Sequence, residues 1–271
     1  MPELPEIVNR AEEMKTHLVD RTISAVEVLQ PKCLNVAPEA FRKALTGARI
    51  EDATSHGKWI FVETSKGYLL LNLGMGGEML LVTRETLPEK YRLIFDFDDG
   101  SCLSLNFWWF GYAHYVPTEE LSDYSLTAKL GPNALDLSLK DLKALLDGRR
   151  GGIKSFLLNQ KNLAGIGNAY IHDILFLAKL HPLRSIPSLS EAEIEALWQG
   201  IQGGLQPSVE KGGAFYERDI FGKRGGFKAE DILIGYRESG PCPVCKTPIE
   251  KIKTGSTSSF ICPTCQPLDV D

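Results

Sequence analysis

A proline follows the initiator methionine and a glutamate follows the proline: the chain opens MPELPE, with Pro2, Glu3 and Glu6 in the first six positions. If Met1 is removed, Pro2 becomes a free secondary amine beside a carboxyl group. An α-amino group of pKa ~7.8 is roughly 15% neutral at pH 7, whereas a lysine at ~10.4 is well under ~0.1% neutral. Such an amine attacking an aldehyde-level carbon gives an iminium ion, a cation that acidifies the neighbouring C–H and eases β-elimination. Glu3, next door, could carry protons as general acid and base. Taken alone, the same string also reads as a short, stiff tail.

A second group of residues has metal chemistry. Cys242, Cys245, Cys262 and Cys265 form two C-x-x-C pairs flanking sixteen residues. Each such turn offers two thiolates to one side of a tetrahedron, so two turns complete a four-cysteine zinc site. Four thiolates close the coordination sphere, so the zinc is read as structural, folding a hairpin that has little apolar core of its own. A redox or disulfide pair is the alternative. Cys33 and Cys102 stand alone and are expected as buried small hydrophobes.

The elements that must hold these groups can be read from texture. Ile7, Val8, Met14 and Leu18 recur at helical spacing, predicting an early helix. From Thr22 to about Val116, short apolar or alternating runs broken by Gly, Asp, Asn and Ser predict an all-β unit, sandwich or barrel. Asp99-Gly100 marks a hairpin, and a short helix ending at Gly47 interrupts the strands. From about Ser138 the pattern turns helical. One helix is capped by Ser138 and stopped at Gly148, a short one lies in IKSFLLNQ, a third runs through NAYIHDILFLAKL to Pro182, and a fourth is capped by Ser190. In AGIGN, glycines permit a tight turn and Asn168 opens the third helix, whose N–H groups would suit a phosphate. A plain interhelical turn is the competing reading.

The motifs PELPE, GKWIF near residue 58, LGMGG near 75, QKNLAGIGNAYIHDILFLAKLHP and the terminal double C-x-x-C occur here in one order. In that order the chain resembles the formamidopyrimidine-DNA glycosylase/endonuclease VIII family from Pro2 to Gln266. The resemblance implies an α+β multidomain chain: a helix-led β-sandwich over 1–133, a helix-two-turn-helix domain with a lesion-covering loop over 134–228, and a zinc ribbon over 229–271. It implies excision of oxidised bases from double-stranded damaged DNA, followed by AP-lyase nicking. It makes Pro2 the nucleophile, Glu3 the proton shuttle and Lys58 a contact to phosphate at the lesion. Asn168 and Lys154 become phosphate anchors, and Met75 and Phe110 fill the gap left by an everted base.

The chain departs from that family at several points. Trp108 stands where an arginine normally reads the orphaned base, Asn72 where histidine is common, and Thr257 where an arginine of the zinc hairpin grips phosphate. Tryptophan stacks but lacks a guanidinium fork, and threonine is a neutral donor. Met75, Trp108 and Trp109 also fit a sandwich core. A catalytically weak member that binds distorted DNA is therefore the alternative function.

Charge is compatible with either reading. The net charge is −5, but residues 1–147 carry −7 and residues 148–271 carry +2. A glycine-rich stretch from Lys211 to Lys228 holds five Lys/Arg against two Asp/Glu. A polyanion site is expected to lean on these local patches. With no apolar run of membrane length and no secretory pattern at the N-terminus, a monomer in the cytoplasm is expected.

Overall fold

The computed structural model describes residues 1–268, which cluster into two compact units. The first comprises Met1–Lys129 with Lys211–Gly226, and the second Leu130–Glu210 with Phe227 onward. The glycine-rich stretch, expected with the helical domain as far as residue 228, thus packs with the N-terminal residues up to Gly226.

The first unit opens with α1 (Leu4–Leu18), followed by β1 (Ile23–Val28), α2 (Pro38–Leu45), β2 (Ile50–His56), β3 (Trp59–Thr64), β4 (Gly67–Asn72), β5 (Glu78–Thr83), β6 (Leu93–Phe97), β7 (Ser101–Asn106) and β8 (Tyr112–Val116). Two four-stranded antiparallel sheets form, ordered β1-β6-β7-β5 and β2-β3-β4-β8. Alternate residues point inward, as the two-residue period of a strand requires. Ile60 and Val62 of β3, Leu69 and Leu71 of β4, Leu93 and Phe95 of β6, and Leu103 and Leu105 of β7 share one core. Two separate sheets around one core make this a sandwich, not a closed barrel. Ile7, Ala11, Met14 and Leu18, at the i, i+4, i+7, i+11 spacing of one helical face, pack α1 into the same core.

In the second unit come α3 (Leu139–Leu146), α4 (Ile153–Leu158), α5 (Ile171–Leu177), α6 (Glu191–Glu210) and the hairpin β9 (Glu250–Thr254) and β10 (Thr257–Ile261). Ser138 caps α3 through a capping box with Asp141, and Ser190 and Glu193 exchange the equivalent bonds at the start of α6. Gly200 and Gly204 let α6 touch α5. A Cβ at either would lie 2.6 Å from an atom of Ile174. Among the described residues no helix is long and apolar enough to cross a membrane.

Candidate active site and nucleic-acid interface

The N-terminal cluster is built by the first turn of α1. Glu3 is its N-cap, and the Glu3 N–H donates to Glu6 Oε2 at 2.9 Å, closing a capping box. This reciprocal bonding fixes the backbone direction at Pro2, which is buried, while Met1 is half exposed. With Met1 attached, the Pro2 nitrogen is a tertiary amide with no nucleophilic pair. Removing Met1 puts the amine at a buried position beside Glu3, whose side chain is also buried.

Lys58 reaches the same place from the other sheet. It sits in the two-residue turn between β2 and β3, where Gly57 takes φ +59°. Its Nζ lies 4.0 Å from Glu3 Oε1, and both side chains are largely buried. Asn72 braces this turn. Its Nδ2 donates to Lys58 O at 3.0 Å, and its Oδ1 accepts from Gly74 N at 3.1 Å. The residue that replaces the family's common histidine therefore ties the Lys58 turn to the next loop.

That next loop carries Met75. Met75 N donates to Trp109 O at 2.8 Å and Trp108 N to Met75 O at 3.2 Å, so the two loops pair as a short ladder. Gly74, at φ +57°, permits the approach, for a Cβ there would lie 2.2 Å from Trp109 O. The ladder holds its side chains outward: Met75 is 48% exposed, Trp108 64% and Phe110 71%, with Phe110 at φ +57°. Trp109 is exposed as well. None of the four belongs to the sandwich core, which removes that reading of them. An exposed apolar cluster held by backbone pairing is what a wedge into a base stack requires.

The stretch from 211 to 226 is fastened to α1 by buried charge. Glu6 Oε1 accepts from Ala214 N at 3.0 Å, the Arg10 guanidinium donates to Arg218 O, and Glu13 Oε2 accepts from Ile220 N at 3.0 Å. Positions 6, 10 and 13 share one helical face. Each satisfies a backbone group of the loop, and Arg10 is itself held by Glu13 at 2.7 Å. Sequence reasoning missed this, because charged residues on a helix face ordinarily meet water.

A second cluster lies in the other unit. Gln160 Oε1 accepts from Gly165 N and its Nε2 donates to Ile166 O, both at 2.8 Å, so this glutamine shapes the AGIGN turn. The helix predicted from Asn168 begins three residues later, at Ile171, and runs only seven residues. Asn168 is exposed in the turn before it, its carbonyl accepting from the Tyr236 hydroxyl at 3.2 Å. Asn168, Tyr236, His172, Lys251, Thr257, Ser258 and Phe260 line a cavity of about 270 Å³.

Lys154, expected as a phosphate anchor, lies inside this unit and not at a solvated surface. It is 4% exposed, and its Nζ donates to Thr254 Oγ1 (2.9 Å), Thr257 Oγ1 (3.0 Å), Ser258 O (2.9 Å) and Ser259 Oγ (2.8 Å). Burial lowers its pKa from 10.5 to about 8. The side chains that surround it are hydroxyls, which solvate an ammonium without neutralising it. His172, also buried and facing Lys154, is driven down to about 4. The charge that the hairpin lacks at Thr257 is thus present one layer beneath. Lys251, exposed on β9, adds another charge at the cavity rim; its side chain gave no sequence signal.

The four cysteines converge. Their sulfurs all lie within 4.8 Å of one another, with Cys242–Cys265 at 3.8 Å, Cys245–Cys265 at 3.5 Å and Cys245–Cys262 at 3.3 Å. Tetrahedral zinc with Zn–S of about 2.3 Å sets S–S edges of about 3.8 Å, so the donor set fits one structural zinc ion. Cys33 and Cys102 are buried and lie apart from this group.

The chain is similar to known proteins along nearly its whole length. Residues 1–106 match the formamidopyrimidine-DNA glycosylase N-terminal domain, 130–218 the H2TH domain of the same enzymes, and 239–268 the zinc finger found in FPG and IleRS. The formamidopyrimidine-DNA glycosylase of Legionella pneumophila is 34% identical over 277 residues, covering 99% of each chain. That of Chloroflexus aurantiacus is 33% identical over 98% of each. Among solved structures, Lactococcus lactis Fpg with abasic-site DNA superposes at TM-score 0.90 and 28% identity, covering 98% of this chain and 99% of that one. The same enzyme with DNA containing an oxidised pyrimidine gives 0.88 and 29%, covering 98% and 100%. On its sequence, its fold and its four-cysteine zinc site, the chain belongs to the formamidopyrimidine-DNA glycosylase family.

Proposed function

We propose that this protein removes oxidised bases from double-stranded DNA and then nicks the abasic strand by β-elimination. The observation that carries the reading is the buried cluster at the start of α1: Pro2, the capping carboxylate Glu3, and Lys58 at 4.0 Å from it. A protein that only bound DNA would have no chemical need for that set. In the mature chain the Pro2 nitrogen attacks C1′ of an everted nucleotide. Glu3 moves protons at the sugar, and Lys58 neutralises the adjacent phosphate. The iminium ion acidifies C2′–H, and loss of that proton expels the 3′ phosphate. Met75, Trp108 and Phe110 occupy the vacated stack. Asn168 and Thr257 hold phosphate oxygens as neutral donors, with Lys154 supplying charge from beneath and Lys251 from the rim. The zinc holds the β9–β10 hairpin in shape and takes no part in the chemistry. Every residue in this scheme comes from one chain, and we take the protein to act as a monomer in the cytoplasm.

Borohydride trapping on an abasic duplex tests the scheme. An amine catalyst is fixed to DNA as a covalent adduct. The expected result is an adduct in the parent, a strongly weakened one in Pro2→Gly, and suppressed base excision in Glu3→Gln. A parent protein that binds the duplex yet forms no adduct would leave only a zinc-braced DNA binder.

A further inference from the structure

One side chain bonds both to the loop that carries Met75 and to the turn that carries Lys58. Asn72 is the last residue of β4 and is half-buried. Its Oδ1 accepts from Gly74 N at 3.1 Å, and its Nδ2 donates to Lys58 O at 3.0 Å. The partners fix the orientation of the amide, since only its nitrogen donates to a carbonyl and only its oxygen accepts from an N–H. Next to Gly74, the Met75 N–H donates to Trp109 O at 2.8 Å. On the other side, Lys58 Nζ lies 4.0 Å from Glu3 Oε1. Two hydrogen bonds through one amide thus join the neighbour of Met75 to the residue that faces Glu3.

The frame behind this link is held by other contacts. β3 and β4 pair from Ile60–Leu71 onward, and β4 pairs with β8 at Asn72–Tyr112. The Trp59 ring stacks on Tyr112, with centroids 5.8 Å apart and planes 15° from parallel. The Asn72 side chain therefore acts at the tips of the strands, where the reacting residues are, and not in the core.

We propose that Asn72 is a positioning residue that couples the seating of Met75 in the emptied base stack to the placement of Lys58. The proposal rests on the lyase reading above. Gly74 N moves with the Met75 backbone. When Met75 enters the stack, the Asn72 amide holds the Lys58 turn in register with it. The lysine side chain is long and flexible, so its aim depends on a fixed backbone, and a misplacement of about 1 Å can cost ~10²-fold in rate. An amide suits this task because it donates and accepts at once and carries no charge beside the lysine.

The test is a double-mutant cycle of Asn72→Ala and Met75→Ala. It is read as the single-turnover rate of borohydride-trapped adduct formation on an abasic duplex at rising protein concentration. Asn72→Ala should lower the maximal rate about 10-fold and leave the half-saturating concentration within about twofold, because the amide acts through Lys58. The double variant should be no slower than the slower single variant, since either change breaks the same link. Asn72→Ser separates the two bonds. Its hydroxyl can still accept from Gly74 N, as short polar side chains do two residues on, but cannot span to Lys58 O. It keeps the loop's own turn and should be slowed as the alanine variant is. Effects that multiply in the double variant, to about 100-fold if each single costs about 10-fold, overturn the proposal. So does a serine or alanine variant with the parent's maximal rate, or one that only raises the half-saturating concentration. A parent that forms no adduct overturns the lyase reading and this proposal together. A parent that forms one, with a multiplicative cycle, overturns this proposal alone.

Discussion

Lys154→Met gives the sharpest physical test of the second unit. The native ammonium is enclosed by three hydroxyls and one carbonyl, with no acidic side chain among its hydrogen-bond partners. Burial lowers its pKa from 10.5 to about 8. For a lysine whose folded pKa is depressed, the unfolded chain binds more protons between the two values. Stability therefore rises with pH across that window, and the charged form is the penalised one at pH 7. At ~1.4 kcal/mol per unit the full penalty is roughly 3 kcal/mol, of which about 2 kcal/mol is relieved between pH 7 and about pH 9.5. Methionine keeps the length of the side chain without the charge, and the freed hydroxyls of Thr254 and Ser259 already bond each other at 2.8 Å. The assay is urea unfolding of the zinc-loaded protein, followed by its helical signal, for parent and variant at several pH values. The parent should gain about 2 kcal/mol relative to the variant across that range. Parallel curves would refute the reasoning, because they would mean the ammonium is not desolvated where it lies.

Two further outcomes follow from the site. Removing zinc with a chelator should unfold the β9–β10 hairpin and with it the seat of Thr257 and Lys154. DNA affinity should then fall while the sandwich remains folded, as shown by urea titration beside gel-shift binding. Met75→Ala and Phe110→Ala, at positions 48% and 71% exposed, should change stability by less than about 0.5 kcal/mol yet slow excision from duplex DNA. An equal loss on a single-stranded substrate carrying the same lesion would argue against a wedge, since no stack then needs filling.

Much of the fold was legible because local rules agreed with tertiary ones. Ser138 and Ser190 begin their helices, Gly47 follows α2 at φ +74°, and Asp99-Gly100 lies in the turn between β6 and β7. These positions depend on capping and turn chemistry, which act over a few residues. The cysteine spacing was equally transparent, since the tetrahedron restricts which turns can supply it. Legibility failed where the answer depended on residues distant in sequence. Asn168 follows a glycine turn and so reads as a helix start, but α5 starts at Ile171 and the AGIGN turn is shaped by the Gln160 side chain. Nothing near Lys154 in the sequence marks it as buried, and only the hairpin a hundred residues later encloses it. Trp108 and Trp109 could have been core by composition. Their pairing with the Met75 loop turns them outward.

From the order of residues alone one can read the chemistry this protein carries: an amine-bearing proline beside a carboxylate, four thiolates at zinc spacing, and a family resemblance spanning nearly the whole chain. Which charges face water and which are spent inside was decided only by tertiary packing. It committed Glu6, Arg10 and Glu13 to the backbone of a loop some two hundred residues away and sank Lys154 among hydroxyls. The physical reason is that a residue's type sets what it can donate or accept. Its solvation depends on neighbours that no local stretch of sequence contains.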